Sequence, residues 1–480
     1  MGMAPQGHRL RVWKAGWANA TALPTLPSDI WISVGWPKLV AERVITPVYL
    51  PKSRAMNPDA EFILDQVRRH TEWFRDSIPM IASENLMSPA ALQVYLSDFG
   101  HRYAEGLPGE RYYQGNTYVD QVELKVMALA RELFGATYAD PRPISGTTAN
   151  MAILFALTEP GDIVTTVGLS HGAHISTAKF GAVGVRSVNS LAYPFNVEDM
   201  NIDVDEAIKF LKRVRPKVAL FGQSVFLFPT PLKELGDALQ EVGCHVWYDG
   251  AHVMGLIAGG QFQDPLREGA EVVSGSTHKT LPGPQHGIIV GRPRDEKVQR
   301  KLEKAVFPGV VSNHHLHAMA ALGITLAEHK EFGRAYAAQI VANARALGQA
   351  LYERGMKVLC PHLGFTRSHA IAVDVADHGG GAAVALDLEK ANVIVNKNLL
   401  PWDTSPVKPS GLRLGSQEMT RIGMKEGHMD EVAEFIHRVA VKEEDPAKVA
   451  KEVREFKKDF QGIHYCFNEG KPAYHLWSVS

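Results

Sequence analysis

Three short stretches of this chain carry residues whose types and order can do chemistry together. In SGSTHKTLPGP, Lys279 follows an apolar strand and a small polar turn inside a loop punctuated by Gly and Pro. An amine held there can attack a carbonyl carbon and form a Schiff base. An exposed surface lysine is the plain alternative, and the context decides against it. Upstream, WYDGAH puts Asp249 at the end of a second apolar run, with His252 close behind. A carboxylate leaving a buried strand is costly unless it meets a cation. A protonated pyridine nitrogen is such a cation, and a carboxylate beside it keeps the ring electron-withdrawing. Earlier still, Ser145, Gly146 and Thr147 stand just ahead of a helical pattern. Unpaired N–H groups, two hydroxyls and the helix dipole would cradle a phosphate there, although an ordinary serine N-cap reads the same way. Amine, ring-nitrogen partner and phosphate cradle together describe a site for pyridoxal phosphate (PLP), covalently held by Lys279.

The elements that must position these residues alternate along the chain. Val122, Val126, Leu129 and Leu133 recur at helical spacing and stop at Gly135, a C-cap. A second helix follows Ser145 and runs through Met151 to Leu157, before the Pro160-Gly161 turn. Strands are expected at Ile163 to Val167, Lys217 to Phe221, Cys244 to Tyr248 and Val272 to Ser274, with a helix at Leu232 to Val242. This rhythm predicts an α/β fold with a mixed, mostly parallel, helix-covered sheet, whose ligands bind beyond the strands' carboxyl ends. One long helix is expected from Glu331 to Arg354, after which the rhythm changes. Domains are therefore expected at 57–105 (an N-terminal helical arm), 106–330 (the large, cofactor-binding domain) and 331–480 (a smaller C-terminal α+β domain). The last helix has Asp445 as N-cap, Pro446 at its first position, and Val449, Val453, Phe456 and Phe460 on one stripe. Residues 1–56 show no sustained periodicity and read as an ill-ordered extension or one added by an upstream start codon. A helix beginning at Asn57-Pro58, with Ile63, Val67 and Phe74 on one face, opens the folded part.

Composition bounds the partners. The chain has 480 residues, 45% of them hydrophobic, and 51 Lys plus Arg against 52 Asp plus Glu. So balanced a charge argues against nucleic acid or a membrane surface as partner and leaves a small molecule as the default. Cys244, Cys360 and Cys466 are too scattered for a disulfide framework or a zinc site and read as free thiols in the cytoplasm. No apolar run reaches the roughly 18 residues of a membrane helix.

Beyond the PLP constellation, IASENLMSP, RYAEGLPGERYYQG, SGTTAN, LSHGAH, YDGAHVMGL, STHKTLPGP, VNKN and SGLRLG stand in one order. In that order and spacing the chain resembles the serine hydroxymethyltransferases, over residues 57 to 440. Gln285 and VSNHHLH resemble the family's archaeal branch. The resemblance implies the PLP-dependent transferase fold (fold type I). It also implies reversible transfer of the serine hydroxymethyl carbon to a tetrahydropterin, either tetrahydrofolate or a tetrahydromethanopterin-like carrier. Lys279 then matches the cofactor lysine, Asp249 the pyridine partner and His174 the imidazole stacked on the ring. His252 matches the histidine near the ring hydroxyl, while Ser145, Gly146, Thr147, Ser224, Ser276 and His278 match further cofactor contacts. Arg413 matches the arginine that forks the substrate carboxylate, a task suited to its planar donors, and Ser83 a second carboxylate contact. Glu105 matches the acid–base carboxylate near the substrate hydroxyl, and Asn398 the asparagine that bonds the pterin. Tyr103 and Tyr113 match tyrosines that enter a neighbouring subunit's site, which implies a homodimer with shared active sites, or a tetramer of such dimers.

Departures from the family pattern also matter. Gln285 stands where many relatives have an arginine, and from the partner-facing glycine loop only Gly309 carries over, within FPGVVSNHH. His314, His315 and His317 have no accompanying carboxylate or thiol spacing, so a polar cluster at a subunit contact is expected and not a metal site. Two other functions use the same scaffold: a pterin-independent threonine or allo-threonine aldolase, and an α-methylserine hydroxymethyltransferase. A PLP-fold binding protein without catalysis is the reading from another class, disfavoured by the intact Lys279, Asp249 and Arg413. A chain beginning at Met56 is expected to fold and to bind PLP, judged by its melting profile and cofactor absorbance. Loss of either would assign the preceding residues a structural role.

Overall fold

The structure, a computed structural model, describes residues 56–405 and 407–476, so the expected 1–55 extension lies outside the described residues. Strands β1 (Tyr138–Asp140), β2 (Ile163–Thr166), β3 (Asn189–Ala192), β4 (Val218–Phe221), β5 (His245–Asp249), β6 (Val272–Ser276) and β7 (Gly287–Gly291) share one sheet. Their order is β1-β7-β6-β5-β4-β2-β3. Only β7 runs antiparallel to its neighbours. Both faces are apolar because side chains alternate. Leu220, Trp247 and Val272 enter one core, whereas Phe221, Tyr248 and Val273 enter the other. The helices that cover them follow from local signals. After α1 (Pro58–Arg75), helix α2 (Thr117–Phe134) ends on Gly135, whose φ of 60° suits the left-handed cap. Helix α3 (Gly146–Leu157) begins at Ser145, whose side chain accepts from the Thr148 N–H.

Helix α4 (Leu316–Glu353) joins the two halves of the fold. Its first turns bury Met319, Leu322 and Leu326 with the large sheet, and its last bury Leu347 and Leu351 in a second core. That second core lies around an antiparallel sheet of β8 (Lys357–Val358), β9 (Ala370–Asp374), β10 (Asn396–Asn398) and β11 (Gly411–Gly415), ordered β8-β9-β11-β10. Helices α5 (Met429–Ala440) and α6 (Pro446–Lys457) cover it, with Asp445 capping α6 and Val449 and Val453 buried as the stripe predicts. The segment after α1 is tied to this sheet, since Ile78–Pro79 pairs in parallel with Val393–Ile394 and the Gly415 N–H donates to the Met80 carbonyl at 2.8 Å.

Three expectations differ from the structure. Helix α4 starts at Leu316, well before Glu331, and residue 330 lies inside it. Its first turns are apolar all round because they are buried on every side, which removes the amphipathic period that marks a helix start. The helix expected from Leu232 is regular only over Gly236–Val242, as turns occupy the residues after Pro231. The stripe of α1 faces away from this chain's core: Ile63 is 61% and Val67 44% exposed, and the helix buries no residue.

Candidate active site

Strand ends converge on one cavity of about 250 Å³. Asp249 closes β5 and Ser276 closes β6, Gly222 to Ser224 follow β4, and Ser145 to Thr147 open α3. Ser83, His174, His252, His278 and Lys279 complete the wall, so eleven of the residues expected at the site line one space. This is the carboxyl-end position that the sheet topology predicts.

The electrostatics follow from burial. Lys279 is 7% exposed, and loss of hydration pulls its ammonium down to about 8, against the opposing attraction of Asp249. Asp249 is fixed by two donors: Asn150 Nδ2 at 2.8 Å from one oxygen and the Ala251 N–H at 3.0 Å from the other. His174 Nδ1 accepts from the Ser176 N–H at 3.1 Å, which leaves the ring proton on Nε2, and burial lowers its pKa. His278 is held down to about 4, first by burial and then by the Lys279 charge. Arg413, on β11, is lowered to about 10 by burial. It donates from Nε to Asn396 Oδ1 at 3.2 Å and from Nη1 to the Ser224 carbonyl at 3.1 Å. Its guanidinium thus has donors to spare for a carboxylate.

The residues fit a polar, phosphorylated ring. At Gly146 a Cβ would lie 2.5 Å from Ser276 Oγ and displace that hydroxyl from the cavity wall. Gly222 has a φ of 111°, and a Cβ would meet the Asp249 carbonyl at 2.1 Å. Gln223 Oε1, Ser224 Oγ and His278 Nδ1 are buried without a hydrogen-bond partner in the described protein, the condition of groups arranged for a ligand.

Four expected residues lie elsewhere in this chain. Tyr103, Glu105, Tyr113 and Gly309 do not line the cavity, and Arg413 is outside its lining too but bonded to the carbonyl of Ser224, which does line it. Glu105 instead accepts from Ser312 Oγ and, at 3.3 Å, from the Tyr103 hydroxyl, while Tyr103 and Tyr113 meet edge to face at 4.8 Å. Asn398 lines an adjoining cleft of about 570 Å³ with Leu169, Ile175 and Lys397, and Ser224 is common to both spaces. Gln285 is exposed in a groove beyond His278. His314 is buried 3.2 Å from the Glu123 carboxylate, which also receives Arg111. Among the described residues no group of three or more His, Cys, Asp or Glu could hold a metal ion.

The model of the serine hydroxymethyltransferase family matches residues 56–436. The chain belongs to this family. Archaeal serine hydroxymethyltransferases are similar along most of their length. That of Picrophilus torridus is 58% identical over 86% of this chain and 96% of its own. Those of Methanopyrus kandleri and Thermococcus kodakarensis are 53% and 52% identical, covering 87% and 85% of this chain and 97% and 96% of theirs. Among solved structures, the L-threonine transaldolase of Pseudomonas fluorescens superposes with a TM-score of 0.79 at 30% identity, over 85% of this chain and 94% of that one. Membership of the serine hydroxymethyltransferase family implies PLP, and the family is typically dimeric. No helix among the described residues is long and apolar enough to cross a membrane.

Sequence reading missed Asn150, Thr177, Gln223 and the Gly222 turn, all of which line the cavity. Asn150 was within reach: it stands one helical turn after Gly146 in SGTTAN, on the α3 face that looks toward β5. The lowered Lys279 pKa gives a direct expectation for the apoprotein. The neutral amine is the nucleophile, so the rate of PLP capture should rise with pH, with a midpoint at about 8, and level off above it. A stopped-flow absorbance series checks this, and a midpoint above 10 would show that the amine is not desolvated.

Proposed function

We propose that the protein transfers the hydroxymethyl carbon of serine to a tetrahydropterin, giving glycine, with Lys279 holding PLP. The observation that carries this reading is the single cavity in which Lys279, Asp249 and the α3 N-terminus meet, with Arg413 beside it. PLP, when bound, supplies an electron sink for the pair released at the amino acid's Cα. Lys279 would hold it through Nζ, Asp249 would hold the proton on its pyridine nitrogen, and Gly146 and Thr147 would offer backbone N–H groups to its phosphate. Arg413 would take the serine carboxylate in a two-pronged contact, with Ser83 as a second partner. Held by its carboxylate in this way, serine would have the bonds to its Cα oriented by Arg413 and Ser83. The Asn398 cleft, apolar at Leu169 and Ile175, suits a flat pterin that captures the released carbon.

Glu105 and its tyrosines would complete the site from a second subunit. They lie outside this chain's cavity yet on an aromatic surface where Tyr112 is 72% and Tyr118 74% exposed. Together with the uncovered stripe of α1, that is surface a symmetric dimer would bury. The buried free thiols Cys244, Cys360 and Cys466 suit the reducing cytoplasm. The transaldolase likeness keeps a second reading in view, cleavage of β-hydroxy amino acids without a pterin, but a second cleft that adjoins the cavity and carries Asn398 favours transfer.

The test is serine cleavage with tetrahydrofolate and, separately, with tetrahydromethanopterin. Glycine formation that depends on either pterin supports transfer; equal rates without one would make the protein an aldolase. Glu105→Gln should lower pterin-dependent cleavage by about 10²- to 10⁴-fold, and cleavage of allo-threonine by less. Mixing Glu105→Gln with Lys279→Ala subunits and letting them exchange should restore about a quarter of the activity, because each mixed dimer of a two-fold pair regains one intact site. No recovery would place Glu105 in its own chain's site.

A further inference from the structure

Behind His252, and not lining the cavity, stands a second buried histidine from the small sheet. His369 opens into β9, is fully buried, and stacks near His252 with ring centroids 5.4 Å apart at 28°. Its Nε2 lies 3.1 Å from the Ala82 carbonyl and 3.3 Å from His252 Nδ1. Its Nδ1 lies 2.9 Å from Ser368 Oγ. These contacts admit one arrangement of protons. A carbonyl only accepts, so His369 Nε2 carries the hydrogen and Nδ1 is the lone pair that takes the Ser368 hydroxyl. The same Nε2–H faces His252 Nδ1, which must then be an acceptor. A neutral imidazole has one proton, so that of His252 is on Nε2.

We propose that His369 is a positioning residue that fixes His252 as the Nε2–H tautomer, so that His252 presents a hydrogen-bond donor, and never an acceptor, to whatever occupies the cavity. Burial first, and the Lys279 and Arg413 charges next, hold both rings neutral, with His369 at about 3. The backbone around His369 is held as tightly as its ring. The Ser416 N–H donates to its carbonyl at 2.9 Å, and the Ser416 hydroxyl lies 3.1 Å from the same oxygen and 2.8 Å from the Ile340 carbonyl. Ala82 immediately precedes Ser83, so one imidazole ties the small sheet to the backbone beside Ser83 and to His252. The inference rests on His252 belonging to the cofactor cavity, but the outcome that decides it is the ring's protonation and not turnover.

The experiment is nitrogen NMR of the PLP-loaded enzyme labelled with ¹⁵N-histidine, with His252→Asn to assign the resonances. In the wild type, His252 should show a protonated Nε2 and an unprotonated Nδ1. His369→Gln, whose terminal amide can still donate to Ala82 and His252, should keep that pattern. His369→Leu should release it, giving a mixture that includes the Nδ1–H form, while serine turnover falls on the order of tenfold and the serine KM changes less. A wild-type His252 protonated on Nδ1 would overturn the proposal, whatever the variants do. So would a folded His369→Leu enzyme that keeps a pure Nε2–H ring. Failure of serine cleavage in the wild type, with the tautomer as stated, would fault the functional reading and leave this one standing.

Discussion

The placement of one amine out of water, beside one carboxylate, sets terms for the rest of the molecule. Lys279 is almost wholly buried and Asp249 lies at the end of an interior strand. Neither charge would be tolerated alone, since a buried ion without partners costs several kcal/mol. The parallel sheet answers this by geometry. It brings the carboxyl ends of β4, β5 and β6 side by side, so the polar ends of three apolar strands meet in one place while their lengths stay in the core. Asn150 and the Ala251 N–H fill the hydrogen-bonding capacity of Asp249 on the protein side. Its charge is therefore fixed in direction before any ligand arrives.

The lysine is held just as firmly from the opposite side, by groups remote in sequence. Asn85 donates to the Lys279 carbonyl at 2.5 Å and to the Tyr336 hydroxyl at 2.8 Å, and Tyr336 in turn donates to the Gln417 carbonyl at 2.8 Å. Arg421 stacks on Tyr336 and uses its own donors on Leu86, His464 and Tyr465. The post-α1 segment, α4 and the C-terminal segment therefore meet behind a single peptide carbonyl. Side-chain geometry at a reacting amine is only as good as the backbone that carries it, and here that backbone is bonded to Asn85, which Tyr336 and, through it, Gln417 hold in turn.

How much of this could be read from the sequence depended on whether the signal was local. Gly135 and Ser145 end and begin helices through rules that act within one turn, and both are where the spacing predicts. The cavity wall was legible because strand ends, turns and helix starts are local too. What resisted reading was set by burial or by distance. The start of α4 is hidden by apolar residues on every side, and α1 has a stripe that no described residue of the chain buries. His369 is 117 residues from His252, and a lone histidine at the head of a strand carries no local mark of what it will face. Tyr103, Glu105 and Tyr113 lie outside this chain's cavity, and no local pattern marks a residue that its own chain's cavity does not use.

The charge pattern around the cavity explains why so many histidines collect there. His174, His252, His278 and His369 all have their pKa lowered, with burial the largest cause in each. Lys279 adds to the effect on all four, and Arg413 on all but His278. A site with a lysine, an arginine and a space for a phosphate needs donors that bring no further positive charge, and a neutral imidazole supplies one at a fixed ring edge. Two of these neutral rings have a tautomer chosen by a backbone group: the Ser176 N–H for His174 and the Ala82 carbonyl for His369. The two positive side chains thus do more than bind anions. Added to burial, the larger cause, their charges help to keep the neighbouring rings neutral.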